Sequence, residues 1–287
     1  MVSKPELQPQ PHRPLSDREF TLFQRLIHRE TGIFLPEAKK ALLVARLSRR
    51  LRALGLTSFG AYFDVVEQDR DGEKTVMLDH ICTNETRFFR EPRQFEFLEA
   101  DILPAWKMRG EAGLMPKRIR VWSAACSTGE EPYSLAMLLR THFPAESGWS
   151  IEILASDLST KVLAAARDGV FPMQRFSEVP PPYLRAYMLR GIRAEEGKIR
   201  AQDNIRSLIE FRRVNLNDAQ YPVEGPFDLI FCRNVLIYFN RETKAEVVGR
   251  LTGHLSPHGL LFLGHSETLH GAAHALKHVG PTAYARS

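Results

Sequence analysis

The chain has 287 residues, 44% of them apolar and 25% charged, and a formal net charge of +5. That profile fits a globular protein with one large domain or a large and a small one. It excludes membrane-spanning helices, since no apolar run approaches the roughly 20 residues a crossing needs. Three scattered cysteines exclude a disulfide framework, and ten histidines without ligand spacing imply no metal. The mild positive charge permits an acidic partner without requiring nucleic acid.

Residues 1–14 are polar and proline-rich and read as a disordered tail without the apolar centre of a secretion signal, so the expected compartment is the cytoplasm. Residues 15–83 read as a helical domain. LSDREFTLFQRLIHRETG places Phe20, Phe23, Leu26 and Ile27 at amphipathic spacing, with Ser16 as N-cap and Gly32 as stop. In PEAKKALLVARLSRRLRALG, Leu43, Leu47, Leu51 and Leu54 share one helical face. Lys39, Arg46, Arg49 and Arg50 lie roughly opposite, with Arg52 on their flank and Glu37 the only acid. By pattern alone this is a solvated basic face or a docking surface for an acidic helix or a phosphate backbone. SFGAYFDVVEQD and VMLDHICT complete the unit as two more helices.

Residues 84–116 bridge the helical domain to the α/β part of the chain. NETRFFRE reads as a loop or helix start anchored by Phe88 and Phe89 in the core. Residues 117–287 then alternate. RIRVWSAA, SIEILASD, IEFRRVNL, FDLIFCRNVLIYF and GLLFLGHS are strands. PYSLAMLLRTHF, TKVLAAARDG and RETKAEVVGRLTGHL are helices between them, in the rhythm of a parallel sheet. The terminal AYARS reads as an edge strand. Between residues 170 and 207 the rhythm breaks, which marks an inserted antiparallel hairpin with turns near Gly191 and Gly197.

In an open parallel sheet, ligands bind at the carboxyl ends of the strands. The first strand runs into SAACSTG, a small-residue loop, and then Glu130 and Glu131 open a helix. The second ends in Asp157, an acid suited to ribose hydroxyls. The third ends in Asn215 and Leu216, the fourth in Asn234 and Val235, with Tyr238 just beyond. Singly, these are helix caps or turn residues; together they outline a site. Neither a GxGxxG fingerprint nor a GxxxxGK[ST] loop is present, which argues against a dinucleotide or a nucleoside triphosphate. A nucleoside without pyrophosphate remains, and S-adenosylmethionine is the commonest such cofactor.

Five stretches in this order (NETRFFRE, RVWSAACSTGEEPYS, ASD, FDLIFCRNVLIYF and GLLFLGHSE), with RLSRRLRALGL near the start, closely resemble the CheR family of chemotaxis receptor methyltransferases. The resemblance implies an α/β, Rossmann-like S-adenosylmethionine-dependent methyltransferase domain with a small inserted antiparallel β-subdomain, preceded by a small all-helical domain. It implies methylation of receptor glutamates. Asn84, Thr86, Arg90, Glu131, Asp157, Asn215, Leu216, Asn234 and Val235 would bind the cofactor, with Arg90 and Tyr238 nearest the methyl group. Arg46, Arg49, Arg50 and Arg52 would dock the receptor's acidic helix, with no nucleic acid bound, no membrane insertion and a monomeric chain. Two departures stand out. Cys126 occupies the small-residue loop and reads as an apolar filler. Arg193 sits between the glycines of the insert, the subdomain with which some family members grip a receptor's C-terminal pentapeptide by strand addition.

Overall fold

A computed structural model describes residues 13–69, 71–269 and 276–286; the expected tail lies almost entirely outside them. The chain divides between Thr83 and Asn84 into two compact units.

The first unit is all helical: α1 (Asp17–Thr31), α2 (Lys40–Ala53) after one 3-10 turn, α3 (Phe59–Gln68) and α4 (Glu73–Ile81). Ser16 caps α1 in a reciprocal box with Glu19, and Gly32 ends it at φ 72°. Phe23, Leu26 and Ile27 of α1, Leu43, Leu47 and Leu51 of α2, Phe59 and Tyr62 of α3, and Met77 of α4 form one core, while Leu54, expected on the same face, is the exposed C-cap of α2. The basic face of α2 is partly engaged within the unit. Arg50 donates to buried Glu73 at 2.7 and 2.5 Å, and Tyr62 donates to the same carboxylate at 2.8 Å. Arg46 donates to the Ile81 carbonyl and, at 2.9 Å, to the Thr83 hydroxyl. Arg49 and Arg52 stay exposed. Helical-wheel position puts Arg46, Arg49 and Arg50 on one side with Arg52 on their flank, but α4 supplies a buried acid that Arg50 reaches and a C-terminal carbonyl that Arg46 reaches.

The second unit opens with α5 (Pro92–Phe97), a π-helical turn (Leu98–Ile102) and α6 (Leu103–Glu111). Then come β1 (Arg118–Ala124), α7 (Glu130–His142), β2 (Ser150–Asp157) and α8 (Thr160–Asp168). The insert contributes β3 (Val170–Pro172), α9 (Pro181–Tyr187), β4 (Met188–Arg190), β5 (Lys198–Ala201) and the short α10 (Asp203–Arg206). It is a three-stranded antiparallel sheet, β3-β5-β4, rather than a lone hairpin. Gly191 is required where β4 turns, because a Cβ there would stand 1.9 Å from the Glu195 carbonyl oxygen. Phe171, Ile199 and Ala201 tie the insert into the main core.

The chain returns through β6 (Ile209–Arg213), β7 (Phe227–Cys232), α11 (Arg241–Gly253), β8 (Leu255–Leu263), β9 (Leu276–Gly280) and β10 (Ala283–Arg286). The sheet order is β6-β2-β1-β7-β8-β10-β9, with the first five strands parallel and β10 antiparallel to both its neighbours. AYARS is therefore not the edge. It lies between β8 and β9, and β9 forms the edge with exposed Lys277 and His278, polar side chains that discourage further pairing. Strand order reverses between β1 and β7, and that switch point positions the site.

Candidate active site

The loop after β1 alternates in handedness, with Ala125 at φ 70°, Ser127 at φ 51° and Gly129 at φ 99°. Holding Ala125 and Ser127 there is unfavourable for L-residues, so surrounding contacts must enforce it. They do. The Cys126 N–H donates to the Ser156 carbonyl at 2.8 Å, and the Ser127 N–H donates to Asp157 at 2.9 Å. Burial, with Asp157 and Glu131 nearby, pushes the Cys126 thiol well above its usual pKa; it is an inert filler.

Asp157 ends β2 as a buried, pinned carboxylate. Its second oxygen accepts the Ser159 N–H at 2.9 Å. Its own carbonyl accepts the Val214 N–H at 3.1 Å, which brings Asn215 and Leu216 alongside. Glu131, in the first turn of α7, accepts from Ser123 at 2.6 Å and from Arg233 at 2.7 Å.

Arg233 is the hub. Its side chain is 2% exposed and also donates to the Arg90 carbonyl at 2.6 Å and to Gln94 at 2.9 Å. It lies 3.6 Å from Glu91, whose other oxygen meets Asn234 at 3.1 Å and the His265 ring at 3.0 Å. Burial opposes ionisation of Glu91, but His265 and Arg233 outweigh it and hold the carboxyl below its ordinary pKa. Asn234 itself sits at φ 58°. Fully buried Glu267 steadies that turn by accepting the N–H groups of Gly264 at 2.7 Å, Asn234 at 2.8 Å and Ile237 at 3.2 Å. A glycine is favoured at 264, since a Cβ would stand 2.9 Å from the Asn234 backbone nitrogen. Tyr238 closes the 3-10 turn Leu236–Tyr238 and is half-buried beside Leu236, which is anchored in the core.

Residues 84–91 form no regular element, and their backbone is held by side chains. The Asn84 carbonyl accepts from Ser127 at 2.9 Å, and the Phe89 N–H donates to Ser134 at 2.9 Å. Phe88 packs edge-on against Phe171 at 4.8 Å, and Phe89 stacks on Tyr183 at 5.0 Å. Hydrogen bonds thus join Asn84 to Asp157 through Ser127, and Glu131 to the Arg90 carbonyl through Arg233, while Asn234 bonds to Glu91; Asn215, Leu216 and Val235 adjoin these groups in sequence. Arg46, Arg49, Arg50 and Arg52 belong to the other unit.

Residues 84–285 match the family described as CheR methyltransferase, SAM binding domain, and residues 18–82 match CheR methyltransferase, all-alpha domain. The chain belongs to the CheR methyltransferase family. It is 41% identical to chemotaxis protein methyltransferase 2 of Pseudomonas aeruginosa, across 93% of this chain and 92% of that one. It is 41% identical to the Escherichia coli chemotaxis protein methyltransferase (95% and 92%) and 40% identical to the Salmonella typhimurium one (95% and 91%).

A CheR methyltransferase uses S-adenosylmethionine, and the site suits it. An ionised carboxylate offers about four lone-pair positions. On Glu131, Ser123 and Arg233 take two, which leaves acceptors for an ammonium group. Asp157 is an acid fixed at the end of its strand, the chemistry that a ribose diol needs. The resemblance implied the cofactor-facing positions but assigned no role to Arg233, Gln94, Glu91, His265 or Glu267. The one local signal for Arg233 is a charge directly after the apolar run LIFC.

Proposed function

We propose that this protein methylates glutamate side chains on the cytoplasmic helical part of chemotaxis receptors. The observation that carries the reading is Arg233, which joins Glu131 to the backbone of Arg90. An acid suited to the cofactor's amino group and a segment suited to the substrate carboxylate are thereby one braced unit. The names of the relatives, chemotaxis protein methyltransferases, supply the class of substrate.

Bound S-adenosylmethionine would supply an electrophilic methyl on a sulfonium, leaving as S-adenosylhomocysteine when the methyl–sulfur bond breaks. Asp157 would hold the ribose hydroxyls and Glu131 the ammonium of the methionine portion. Asn215, Leu216, Asn234 and Val235 would frame the adenine and methionine ends, with Asn84 and Thr86 as further contacts. A glutamate with a pKa of about 4.3 is already ionised at neutral pH, so no general base is needed. Opposite charges cancel as the methyl moves, so a tight ion pair to the attacking carboxylate would stabilise the reactants and slow the step. Arg90, whose guanidinium also donates to the Glu85 carbonyl at 3.0 Å, and Tyr238 therefore align the carboxylate with methyl and sulfur rather than clamp it. On the helical unit, Arg49 and Arg52 meet the acidic receptor helix, while Arg46 and Arg50 brace the helix that carries them.

The test is transfer of labelled methyl to receptor-containing membranes, followed by mild alkali. A glutamyl methyl ester releases its label as methanol; alkali-stable label would overturn the reading. Arg90→Ala and Tyr238→Phe should each lower turnover about a hundredfold while cofactor affinity changes little. Equal loss in both measurements reassigns these residues as cofactor clamps.

A further inference from the structure

The insert is not only an appendage to the sheet. Its 3-10 segment Met173–Glu178 carries two charged side chains that reach the backbone of residues 84–91. One nitrogen of Arg175, Nη1, donates to the Thr86 carbonyl and to Glu178, both at 2.9 Å. Glu178 in turn accepts the Phe88 N–H at 3.0 Å through its other oxygen. Arg175 Nε also lies 3.7 Å from the buried carboxylate of Glu130, the first residue of α7 and the neighbour of Glu131. Arg175 and Glu178 thus form a two-residue clip that grips a carbonyl and an N–H two residues apart.

The segment needs such a clip. It makes no helix or strand, Phe89 and Glu91 sit at φ 48° and 62°, and it carries Asn84, Thr86 and Arg90. An irregular segment with strained residues keeps its conformation only where its surroundings over-determine it. Ser127, Ser134 and Arg233, all from the sheet region, hold Asn84, Phe89 and Arg90. The stretch between them, Thr86 to Phe88, is held by the insert.

We propose that Arg175 and Glu178 are positioning residues for the methyltransferase reaction, setting the backbone at Thr86 and Phe88 so that Asn84, Thr86 and Arg90 face the cofactor. The proposal rests on the roles given above to Asn84 and Thr86 at the cofactor and to Arg90 beside the reacting groups. It makes the insert a working part of the cofactor site, whatever else its surface contacts.

Because both Arg175 bonds come from a single nitrogen, a lysine ammonium at that place could donate both, whereas alanine donates neither. The measurements are calorimetric S-adenosylmethionine affinity, amide hydrogen exchange across residues 84–91 without cofactor, and thermal unfolding, on the full chain. Arg175→Ala and Glu178→Ala should weaken cofactor binding about tenfold and speed exchange at Phe88, with Arg175→Lys restoring both to near wild type. Alanine variants with unchanged affinity and exchange overturn the proposal. So does an Arg175→Lys variant as impaired as Arg175→Ala, which would make the guanidinium a packing element. If unfolding temperature falls equally in the alanine and lysine variants but only alanine loses cofactor, positioning stands apart from stability. None of these measurements needs a receptor, so failure of the substrate reading leaves the outcome intact.

Discussion

Each unit contains a buried carboxylate paired with an arginine and a hydroxyl, and the two pairs differ in what they leave unused. In the helical unit, Glu73 accepts two bonds from Arg50 and one from Tyr62. Burial and Glu73 push the Tyr62 phenol far above its usual pKa, so it serves only as a donor. In the methyltransferase unit, Glu131 accepts one bond from Ser123 and one from Arg233, and Arg233 turns its remaining N–H groups to Arg90 and Gln94. The first triad closes a core. The second spreads its bonds over three chain segments and leaves the acid capacity for a ligand. Burial of an ion pair alone therefore says little about function; the distribution of its remaining hydrogen-bonding capacity says more.

The contrast predicts opposite phenotypes. Arg50→Ala strands a buried carboxylate with one neutral partner and should destabilise the helical unit by about 3 kcal/mol, a loss typical of breaking one side of a buried pair. Chemical denaturation checks this, and cofactor affinity should not move. Glu131→Gln keeps shape and packing but removes the charge offered to an ammonium. The expected loss is about 2 kcal/mol of S-adenosylmethionine binding, or roughly thirtyfold, by calorimetry. If Glu131→Gln lost stability and kept affinity, the two triads would be equivalent and both structural.

A third substitution separates bracing from docking on α2. Arg49 and Arg52 are exposed and, unlike Arg46 and Arg50, brace no neighbouring helix among the described residues, so removing them should leave folding untouched. The double alanine variant should raise the receptor KM about fivefold at low salt, with the difference shrinking as ionic strength rises. A KM indifferent to both substitutions makes this a solvated face.

How much of this is legible in the chain depends on the range of each contact. The capping box at Ser16, the apolar stripe of α1 and the strand–loop–helix unit around Gly129 are written in neighbouring residues, and the structure shows each. Asp157, Asn215 and Asn234 are reachable because a parallel sheet sets its strand ends side by side. The hub is not. Arg233 meets Glu131, Gln94 and Arg90 across 102, 139 and 143 residues, and no periodicity encodes such a meeting. The edge position of β9 is also hidden, because LKHVG is short and its apolar residues, Leu276 and Val279, do not alternate. The insert's third strand escapes for a similar reason: β3 has three residues and ends in proline. Arg46 and Arg50 show the limit of a helical wheel, which gives direction around one axis and nothing about the acid or carbonyls of a neighbouring helix.

The smallest expected effect concerns Glu267, which resembles Glu73 in burial but is held by backbone donors rather than by an arginine. Burial pushes its carboxyl above the ordinary glutamate range, and the N–H groups of Gly264, Asn234 and Ile237 pull it back only in part. An acid whose pKa is raised on folding binds its proton more tightly in the folded chain. Its contribution to stability is therefore fully present below the unfolded value, about 4.3, and is lost as pH rises through the folded value. Other carboxylates shift too: Glu130 upward with burial and Glu152 downward beside Arg118, so the whole profile is a sum. The difference between wild type and Glu267→Gln isolates one member of it. Glutamine can keep accepting from Gly264 and Asn234 through its oxygen, giving up only the longer bond to Ile237. Denaturation midpoints followed upward from about pH 4 should show wild type losing stability relative to Glu267→Gln, by under roughly 1 kcal/mol across the window. A difference that grows the other way would mean that the backbone donors dominate, placing Glu267 with the ionised acids of the site rather than apart from them.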